Sequence, residues 1–320
     1  MQNISQSDLK HTENSIFSPK SQGGWTLYHL DIYFIIAASF IMLLVIGLLI
    51  YVAIKYRAKP NDTEPKQRNG NRKMEIFMVG IPFIMISFFF FLTVKTMKQT
   101  EPVVINRKPT VVINGRQWWW QVSYPGTKVV TANEIHLPAN RKVLLKLTSS
   151  DVIHDWWMPS FGPKMDMIPG SVNYLWLNID KPGIYEGTCS EFCGQQHAKM
   201  RIRVIAQTEE NYQKWLTESA KEATQITDPI AFVGASIFQR TSCAGCHQIR
   251  GTDAKGDVGP DLTHLASRKT ILSGTKANTK ENLYAFISNP NAVKPGVNMP
   301  NFHFNKQEKA ALLAYLNTLK

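Results

Sequence analysis

One segment of the chain reads Cys189-Ser190-Glu191-Phe192-Cys193-Gly194-Gln195-Gln196-His197-Ala198-Lys199-Met200 and places two thiols, an imidazole and a thioether within twelve residues. Soft sulfur ligands together with imidazole are typical of copper electron-transfer sites. A single copper ion of this kind needs one cysteine, so two cysteines indicate thiolates shared between two metal ions. A disulfide and a zinc site are the alternatives. A disulfide alone would not require His197 and Met200 at these positions, and zinc sites rarely recruit methionine.

A second imidazole is needed to complete such a site. His154 lies in Asp151-Val152-Ile153-His154-Asp155-Trp156-Trp157, at the expected end of a strand that faces the copper segment. His136 lies in the middle of another expected strand, Glu134-Ile135-His136-Leu137, where a structural histidine is the better interpretation. We therefore expect His154 to be the second histidine ligand.

The region around this segment, residues 103–206, is predicted to be a small β-sandwich or barrel. Turn signals such as Tyr124-Pro125-Gly126 and Lys181-Pro182-Gly183 separate runs that are rich in β-branched and aromatic residues. The runs are Pro109–Tyr124, Lys142–Thr148, Ser171–Ile179 and Met200–Ile205.

A second motif, Cys243-Ala244-Gly245-Cys246-His247, predicts covalent haem attachment. Cys-x-x-Cys-His is the signature of c-type haem, in which Cys243 and Cys246 would add to the vinyl groups and His247 would be the proximal iron ligand. A redox or zinc motif is the alternative for so short a pattern. The copper and haem sites together would use all four cysteines of the chain, so none is left for a disulfide.

The distal haem ligand is expected to be Met299, the one methionine after Met200. Ligation by histidine and methionine raises the haem potential and suits electron transfer. His264 and His303 are weaker candidates for the same position. Residues 228–320 are expected to be helical without strands, with helices over Ile230–Gln239, Glu281–Ile287 and Lys306–Leu319.

The beginning of the chain is predicted to cross a membrane twice. In the 320 residues, charged side chains make up only 19% and apolar ones 44%, which indicates a membrane part joined to a water-soluble part. Ile32–Ile54 and Ile76–Val94 are uncharged runs of 23 and 19 residues. Each is long enough to span the hydrocarbon core of a bilayer as a helix.

Basic residues concentrate between the two runs, which places this loop in the cytoplasm and both termini on the outer face. The cluster consists of Lys55, Arg57, Lys59, Lys66, Arg68, Arg72 and Lys73. No run of like charge is long enough to indicate a nucleic-acid-binding arm.

The Cys-x-Glu-x-Cys-x3-His-x2-Met pattern, the upstream histidine and the amino-terminal hairpin closely resemble subunit II of cytochrome c oxidase over about residues 25–205. The resemblance implies a cupredoxin fold with the dinuclear copper centre CuA. Cys189 and Cys193 would bridge the coppers, and His154 and His197 would each bind one of them. Met200 would be a weak axial ligand, and the backbone carbonyl of Glu191 would bind the other copper.

The same resemblance suggests roles for further residues. Trp118 takes the position through which electrons enter, although simple strand packing beside Trp120 is an alternative. Lys164 and Asp166 would lie at the interface with subunit I, where the Glu191 carboxylate would face a magnesium or manganese ion. A further matching segment, Gly259-Pro260-Asp261-Leu262, resembles class I cytochromes c, in which the proline carbonyl accepts a hydrogen bond from the proximal histidine.

Glu75 stands at the inner end of the second span. A family glutamate at this place marks the mouth of a proton pathway in subunit I. A helix-start carboxylate without a transport role is the alternative.

These patterns predict an outward-facing tail (1–30), a transmembrane hairpin (31–98), an all-β cupredoxin domain (99–206), a linking helix (207–227) and an all-α class I cytochrome c domain (228–320). The expected protein is the electron-entry subunit of a proton-pumping caa-type terminal oxidase in the bacterial plasma membrane. It would pass electrons from an external donor through haem c and CuA to subunit I, where dioxygen is reduced, and it would also assemble with subunit III. A CuA-containing nitric oxide reductase and a stand-alone membrane-anchored electron carrier are the alternatives.

The charge distribution bears on the donor. Residues 76–227 carry a net charge of +4 and residues 228–320 a net charge of +5. Docking of a strongly basic soluble cytochrome is not favoured by like charge. We expect a neutral or acidic donor, or a donor complex held in the same membrane.

Overall fold

The computed structural model describes residues 15–60, 63, 66, 70–100 and 108–320. Residues 1–14 of the predicted tail and Arg68 of the basic cluster lie outside the described residues. The chain forms two compact units. One is the helical hairpin Trp25–Glu101, and the other contains residues 1–24 and 102–320.

The hairpin unit is built on two long apolar helices, α1 (Gln22–Lys55, 34 residues) and α2 (Arg72–Thr100, 29 residues). Each helix contains one of the two predicted spans and is long and apolar enough to cross a bilayer. The rings of Phe34 and Phe89 stack with their centroids 4.2 Å apart, which joins the two helices. The predicted pair of apolar helices is therefore confirmed.

Glu75 takes part in the start of α2. The side-chain oxygen of Asn71 accepts hydrogen bonds from the backbone N–H groups of Lys73 (3.1 Å) and Met74 (3.3 Å), and the Glu75 carboxylate accepts one from Asn71 N–H (3.3 Å). These contacts satisfy backbone donors that a helix leaves unpaired at its first turn. Glu75 thus has a capping role, and its role in a proton pathway stays a prediction.

Two five-stranded sheets form the first soluble domain. Their orders are β3-β2-β1-β5-β8 and β4-β10-β9-β6-β7. The strands are β1 (Val111–Arg116), β2 (Trp119–Ser123), β3 (Val130–Ala132), β4 (Glu134–Pro138), β5 (Val143–Ser149), β6 (His154–Trp157), β7 (Met165–Met167), β8 (Asn173–Leu177), β9 (Gly183–Cys189) and β10 (Arg201–Gln207).

The core of this domain lies between the sheets, because alternate side chains of each strand point inward. On β1, Val111 and Ile113 are fully buried, and Trp120 and Val122 of β2 are buried beside them. The predicted all-β sandwich is confirmed. The β-rich run Pro109–Tyr124 contains the antiparallel pair β1–β2, with Gln117 and Trp118 in the turn.

The copper segment connects two neighbouring antiparallel strands. β9 ends at Cys189 and β10 begins at Arg201, and the N–H of Cys189 donates to the carbonyl oxygen of Met200 (3.0 Å). On the other side of β9 lies β6, whose Trp156 pairs with Cys189. His154 at the start of β6 is thereby held beside the first cysteine.

The linking helix α3 (Glu209–Ser219) is shorter than the predicted 207–227, because the chain leaves helical geometry after Ala220. Its Trp215 stacks on the His136 imidazole at a centroid distance of 3.9 Å. His136 Nδ1 also lies 2.9 Å from Gln207 Oε1, and burial lowers the pKa of this histidine to about 4. His136 therefore has the structural environment that its place in a strand suggests.

The last domain is built mainly from helices. They are α4 (Pro229–Arg240), α5 (Cys243–Cys246), α6 (Lys280–Ser288), α7 (Pro290–Val293) and α8 (Lys306–Thr318). The helical domain is confirmed, but the expected absence of strands is wrong. Two short strands, β11 (Thr270–Ile271) and β12 (Lys276–Ala277), form an antiparallel pair, because residues 272–275 make a tight turn between them.

The packing of α4 against α8 depends on Gly234. An added Cβ at this position would lie 2.0 Å from the carbonyl oxygen of Ala311 and 2.9 Å from the Cβ of Tyr315. Both Ala311 and Tyr315 are buried in the core of the helical domain. The two helix backbones can approach this closely only because residue 234 has no side chain.

We expect Gly234→Ala to destabilise the helical domain by about 1–3 kcal/mol, because an extra methyl group must push the two backbones apart. The matched control is Gly245→Ala, whose added Cβ would meet open space. Thermal unfolding of the full chain, followed through the haem absorbance, should show a lower midpoint for the first variant only. Equal midpoints for both variants would contradict this account of the packing.

Candidate metal centres

Two thiols form the centre of the first site. The Sγ atoms of Cys189 and Cys193 lie 3.8 Å apart, both side chains are buried, and neither forms a disulfide. A disulfide would need the sulfurs at about 2.05 Å. The hydrogen bond between the two thiols lowers the pKa of Cys189 to about 3 and raises the pKa of Cys193. Metal ions bind thiolates, so an ion held by this pair would displace the remaining thiol proton.

The other predicted ligands surround these sulfurs. His154 Nδ1 lies 3.9 Å from Cys189 Sγ, and His197 Nδ1 lies 3.7 Å from Cys193 Sγ. Met200 Sδ lies 3.8 Å from Cys193 Sγ, and the Glu191 carbonyl oxygen lies 3.3 Å from Cys189 Sγ. The structure thus brings all six predicted ligands together. Each cysteine has its own histidine, as a site for two metal ions requires.

Asp151 orients the imidazole of His154. Its Oδ1 atom lies 2.8 Å from His154 Nε2 and also accepts a hydrogen bond from Val152 N–H at 2.7 Å. Its Oδ2 atom accepts one from Gln117 N–H at 2.6 Å. A carboxylate on one ring nitrogen fixes the tautomer and leaves Nδ1 free for a metal. Sequence reasoning did not select Asp151, although its place three residues before His154 was a usable signal.

Trp118 is connected directly to the second cysteine. Its Nε1–H donates to the backbone carbonyl of Cys193 at 2.9 Å, and the side-chain amide of Gln117 donates to the same oxygen at 2.7 Å. The alternative for Trp118, packing on a strand face beside Trp120, does not hold, because Trp118 lies in the turn before β2. Trp120 instead donates from Nε1–H to the Arg201 carbonyl at 3.0 Å.

A pair of carboxyl groups lies behind the site. Asp155 of β6 faces Asp166 of β7, and burial together with the hydrogen bond to Asp166 raises the pKa of Asp155 to about 7. The side chains of Lys164, Asp166 and Glu191 are exposed. Their predicted contacts with another subunit and with a magnesium or manganese ion stay predictions. Sequence reasoning missed Asp155 because its partner becomes a neighbour only through the β6–β7 pairing.

The second site is built around His247. Its Nδ1 lies 2.8 Å from the carbonyl oxygen of Pro260, and its backbone N–H donates to the Cys243 carbonyl at 2.9 Å. Gly259 makes room for the ring, since an added Cβ there would lie 2.4 Å from His247 Cε1. Burial lowers the pKa of His247, which keeps the imidazole neutral. Nε2 is then the nitrogen left for iron, so these residues fit a covalently bound haem.

Three side chains were considered as the distal ligand. Met299 is partly buried in the loop between α7 and α8. His264 Nε2 lies 3.1 Å from the Lys221 carbonyl oxygen, and His303 is exposed with a positive φ of 53°. These positions favour Met299, whose role as ligand stays a prediction.

We expect Asp151→Asn to weaken copper binding by about 10–100-fold, because the neutral amide no longer makes His154 a stronger electron donor. Competition between the purified protein and a copper chelator would measure this. Asp257→Asn, the same change at an exposed position of the helical domain, is the control. An unchanged copper affinity in the Asp151 variant would disprove the orienting role.

Two family models match the chain, one in each soluble domain. "Cytochrome C oxidase subunit II, periplasmic domain" matches residues 127–207, and "Cytochrome c" matches residues 233–320. Among solved structures, the periplasmic domain of subunit II of cytochrome oxidase from Bradyrhizobium japonicum is 30% identical. It covers 37% of this chain and 96% of its own, with a TM-score of 0.35.

Curated relatives match over most of the chain. Cytochrome c oxidase subunit 2 of Bacillus sp. (strain PS3) is 34% identical over 276 residues, which are 80% of this chain and 77% of the relative. Cytochrome c oxidase subunit 2 of Alkalihalophilus pseudofirmus is 33% identical over 309 residues, which are 94% of this chain and 90% of the relative. With similarity of this extent, and with both domains matched, the chain belongs to the cytochrome c oxidase subunit II family, in the form that carries a carboxy-terminal cytochrome c domain.

Proposed function

We propose that this chain is the electron-entry subunit of a proton-pumping terminal oxidase that reduces dioxygen to water in subunit I. The observation that carries the proposal is the convergence of the six predicted copper ligands in a chain that also holds a haem c motif. When bound, the copper pair and the haem take up and release single electrons.

The arrangement of the ligands suits electron relay and leaves no place for a substrate. Cys189 and Cys193 would share one charge change between two metal ions, so bond lengths change little on transfer. Thiolate, imidazole, thioether and carbonyl donors together would fill the coordination positions of bound copper, whereas metal catalysis needs an open one. Burial of both cysteines and of His154 excludes water from the site.

Membership of the oxidase subunit II family implies subunit I as a partner, because a subunit that only receives electrons needs a second one that uses them. We propose subunit III as a further partner. We propose that α1 and α2 cross the bacterial plasma membrane, with both termini and both soluble domains on the outer face. Glu75 would lie at the mouth of a proton pathway. Glu191 would contribute to a magnesium or manganese site shared with subunit I.

The donor is proposed to be neutral or acidic, or to be a complex held in the same membrane, because both soluble domains carry net positive charge. If this proposal is correct, turnover measured with a basic soluble cytochrome as the donor should not rise steeply as the salt concentration is lowered.

Gas consumption by the chain purified with its membrane partners tests the reaction. With a reduced donor, we expect rapid dioxygen uptake and negligible consumption of nitric oxide when each gas is offered alone. The reverse result would place the complex among CuA-containing nitric oxide reductases. Consumption of neither gas by an intact complex would favour the stand-alone carrier.

We expect Cys193→Ser to abolish dioxygen uptake, because a hydroxyl cannot replace the thiolate that would hold copper, while haem c should still be reduced by the donor. Ser190→Ala changes the same loop at a side chain outside the ligand set and is the matched control. Oxygen uptake and the haem c absorbance of the same sample would be recorded together. Normal uptake in the Cys193 variant would rule out the copper assignment.

A further inference from the structure

The copper domain and the cytochrome c domain are joined by two buried charges, one from each domain. The first is Glu134 of β4, which is 3% exposed. Its Oε1 atom accepts hydrogen bonds from Lys269 N–H (3.0 Å), Thr270 N–H (2.8 Å) and the Thr270 hydroxyl (2.8 Å). A carboxylate of the copper domain is therefore satisfied by backbone and hydroxyl donors of the cytochrome domain.

The second charge belongs to the cytochrome domain and is hydrogen-bonded to the copper domain. Lys294 of the cytochrome domain is 7% exposed, and its Nζ donates to the Trp118 carbonyl at 2.7 Å and to the Ser273 hydroxyl at 3.2 Å. The Ser273 hydroxyl itself donates to the Trp118 carbonyl, and the Ser273 carbonyl accepts from Arg201 N–H at 3.1 Å. The backbone carbonyl and the hydroxyl that accept from Lys294 are both neutral, and burial lowers the pKa of Lys294 to about 8.

These contacts place the loop before Met299 on the copper loop. The side-chain amide of Gln196, next to His197, donates to the Pro295 carbonyl at 2.6 Å. The neighbouring Gln195 lies so close to Gly296 that an added Cβ there would be 2.2 Å from Gln195 Oε1. The loop that carries the expected distal haem ligand therefore touches the loop that carries the copper ligands.

A buried charge is tolerated only where hydrogen bonds replace its water. Glu134 finds its donors in the cytochrome domain, whereas Lys294 finds one acceptor in the copper domain, the Trp118 carbonyl, and one in its own domain, the Ser273 hydroxyl. A shifted or rotated cytochrome domain would take these donors away from Glu134 and the Trp118 carbonyl away from Lys294. These hydrogen bonds therefore favour one relative orientation of the two domains, which a nonspecific attraction between them would not do.

We propose that Lys294 and Glu134 are positioning residues that hold the cytochrome c domain on the Trp118 side of the copper loop, so that electron transfer between the two cofactors takes place inside this chain. The proposal rests on the proposed electron-entry function. One electron leaves the ferrous haem iron, which becomes ferric, and reduces the copper pair by one equivalent, so no further reactant is required. Trp118 is only 8% exposed, and its carbonyl is bonded to the cytochrome domain, so an external donor delivers electrons to the haem instead.

Hydrogen exchange in the full chain, purified with its membrane partners, tests the docked state without turnover. In Lys294→Met, we expect the amides of Arg201, Lys269 and Thr270 to exchange about tenfold faster, since all three donate across the interface. Glu134→Gln should act mainly on the latter two amides. Lys306→Met, at an exposed lysine of the same domain, is the control and should leave all three unchanged.

Rapid photoreduction of haem c then measures electron transfer to copper in the same samples. We expect Lys294→Met to slow this step about tenfold and to make its rate depend on solvent viscosity, because the domains must first find each other. The midpoint potentials of both cofactors and the absorbance bands of the copper site should stay unchanged. If Lys294→Met fails to bind either cofactor, Ser273→Ala removes the adjoining hydroxyl and should give the same result in weaker form.

Unchanged amide exchange and an unchanged transfer rate in the lysine variants would overturn the positioning role. So would a slower rate that is explained entirely by a shifted midpoint potential. A wild-type protein that binds both cofactors but shows no electron transfer between them would refute the proposed function instead. Its interface amides would still be protected, so the two failures can be told apart.

Discussion

Everything else in the copper domain depends on holding two thiols about 4 Å apart where water cannot reach them. The backbone provides this by making the cysteine loop a connection between paired strands, so that Cys189 and Met200 are bonded to each other at its two ends. Inside the loop, the Cys193 carbonyl receives hydrogen bonds from Gln117 and Trp118. A loop fixed at its ends and in its middle has little freedom to bring the two sulfurs together in a disulfide. Both thiols therefore stay available to bind metal ions.

The haem motif likewise combines two cysteines with a histidine that is oriented by a hydrogen bond, but other elements provide them. There a short helix carries both cysteines, and the imidazole of His247 is aimed by the Pro260 carbonyl rather than by a carboxylate. The difference has an electrostatic consequence. Asp151 is an anion beside His154, whereas Pro260 supplies only a dipole to His247. His154, the proposed copper ligand, is thus made more basic than His247, the proposed haem ligand, which suits a site for two positive metal ions.

Local patterns in the sequence predicted the fold and selected side chains that the fold brings together, because both depend on spacing within short segments. The cysteine segment, the Cys-x-x-Cys-His motif and the two apolar runs are all of this kind. Residues whose partners come from distant segments escaped prediction: Asp155 is paired through the β6–β7 contact and Lys294 through the Trp118 carbonyl. Asp151 is different, because its partner His154 is only three residues away and the spacing alone could have identified it. The strand pair β11–β12 was missed because two-residue strands have no periodicity to detect.

The short connection between α3 and α4 has a further consequence. Only nine residues separate Ser219 from Pro229, and α3 is fixed to the copper domain by the stacking of Trp215 on His136. A tether of this length keeps the cytochrome domain at an effective concentration in the millimolar range. At such a concentration even a contact with millimolar affinity is half occupied, and a small interface is sufficient. Selection can therefore act on the orientation of the two domains and leave the strength of their association low.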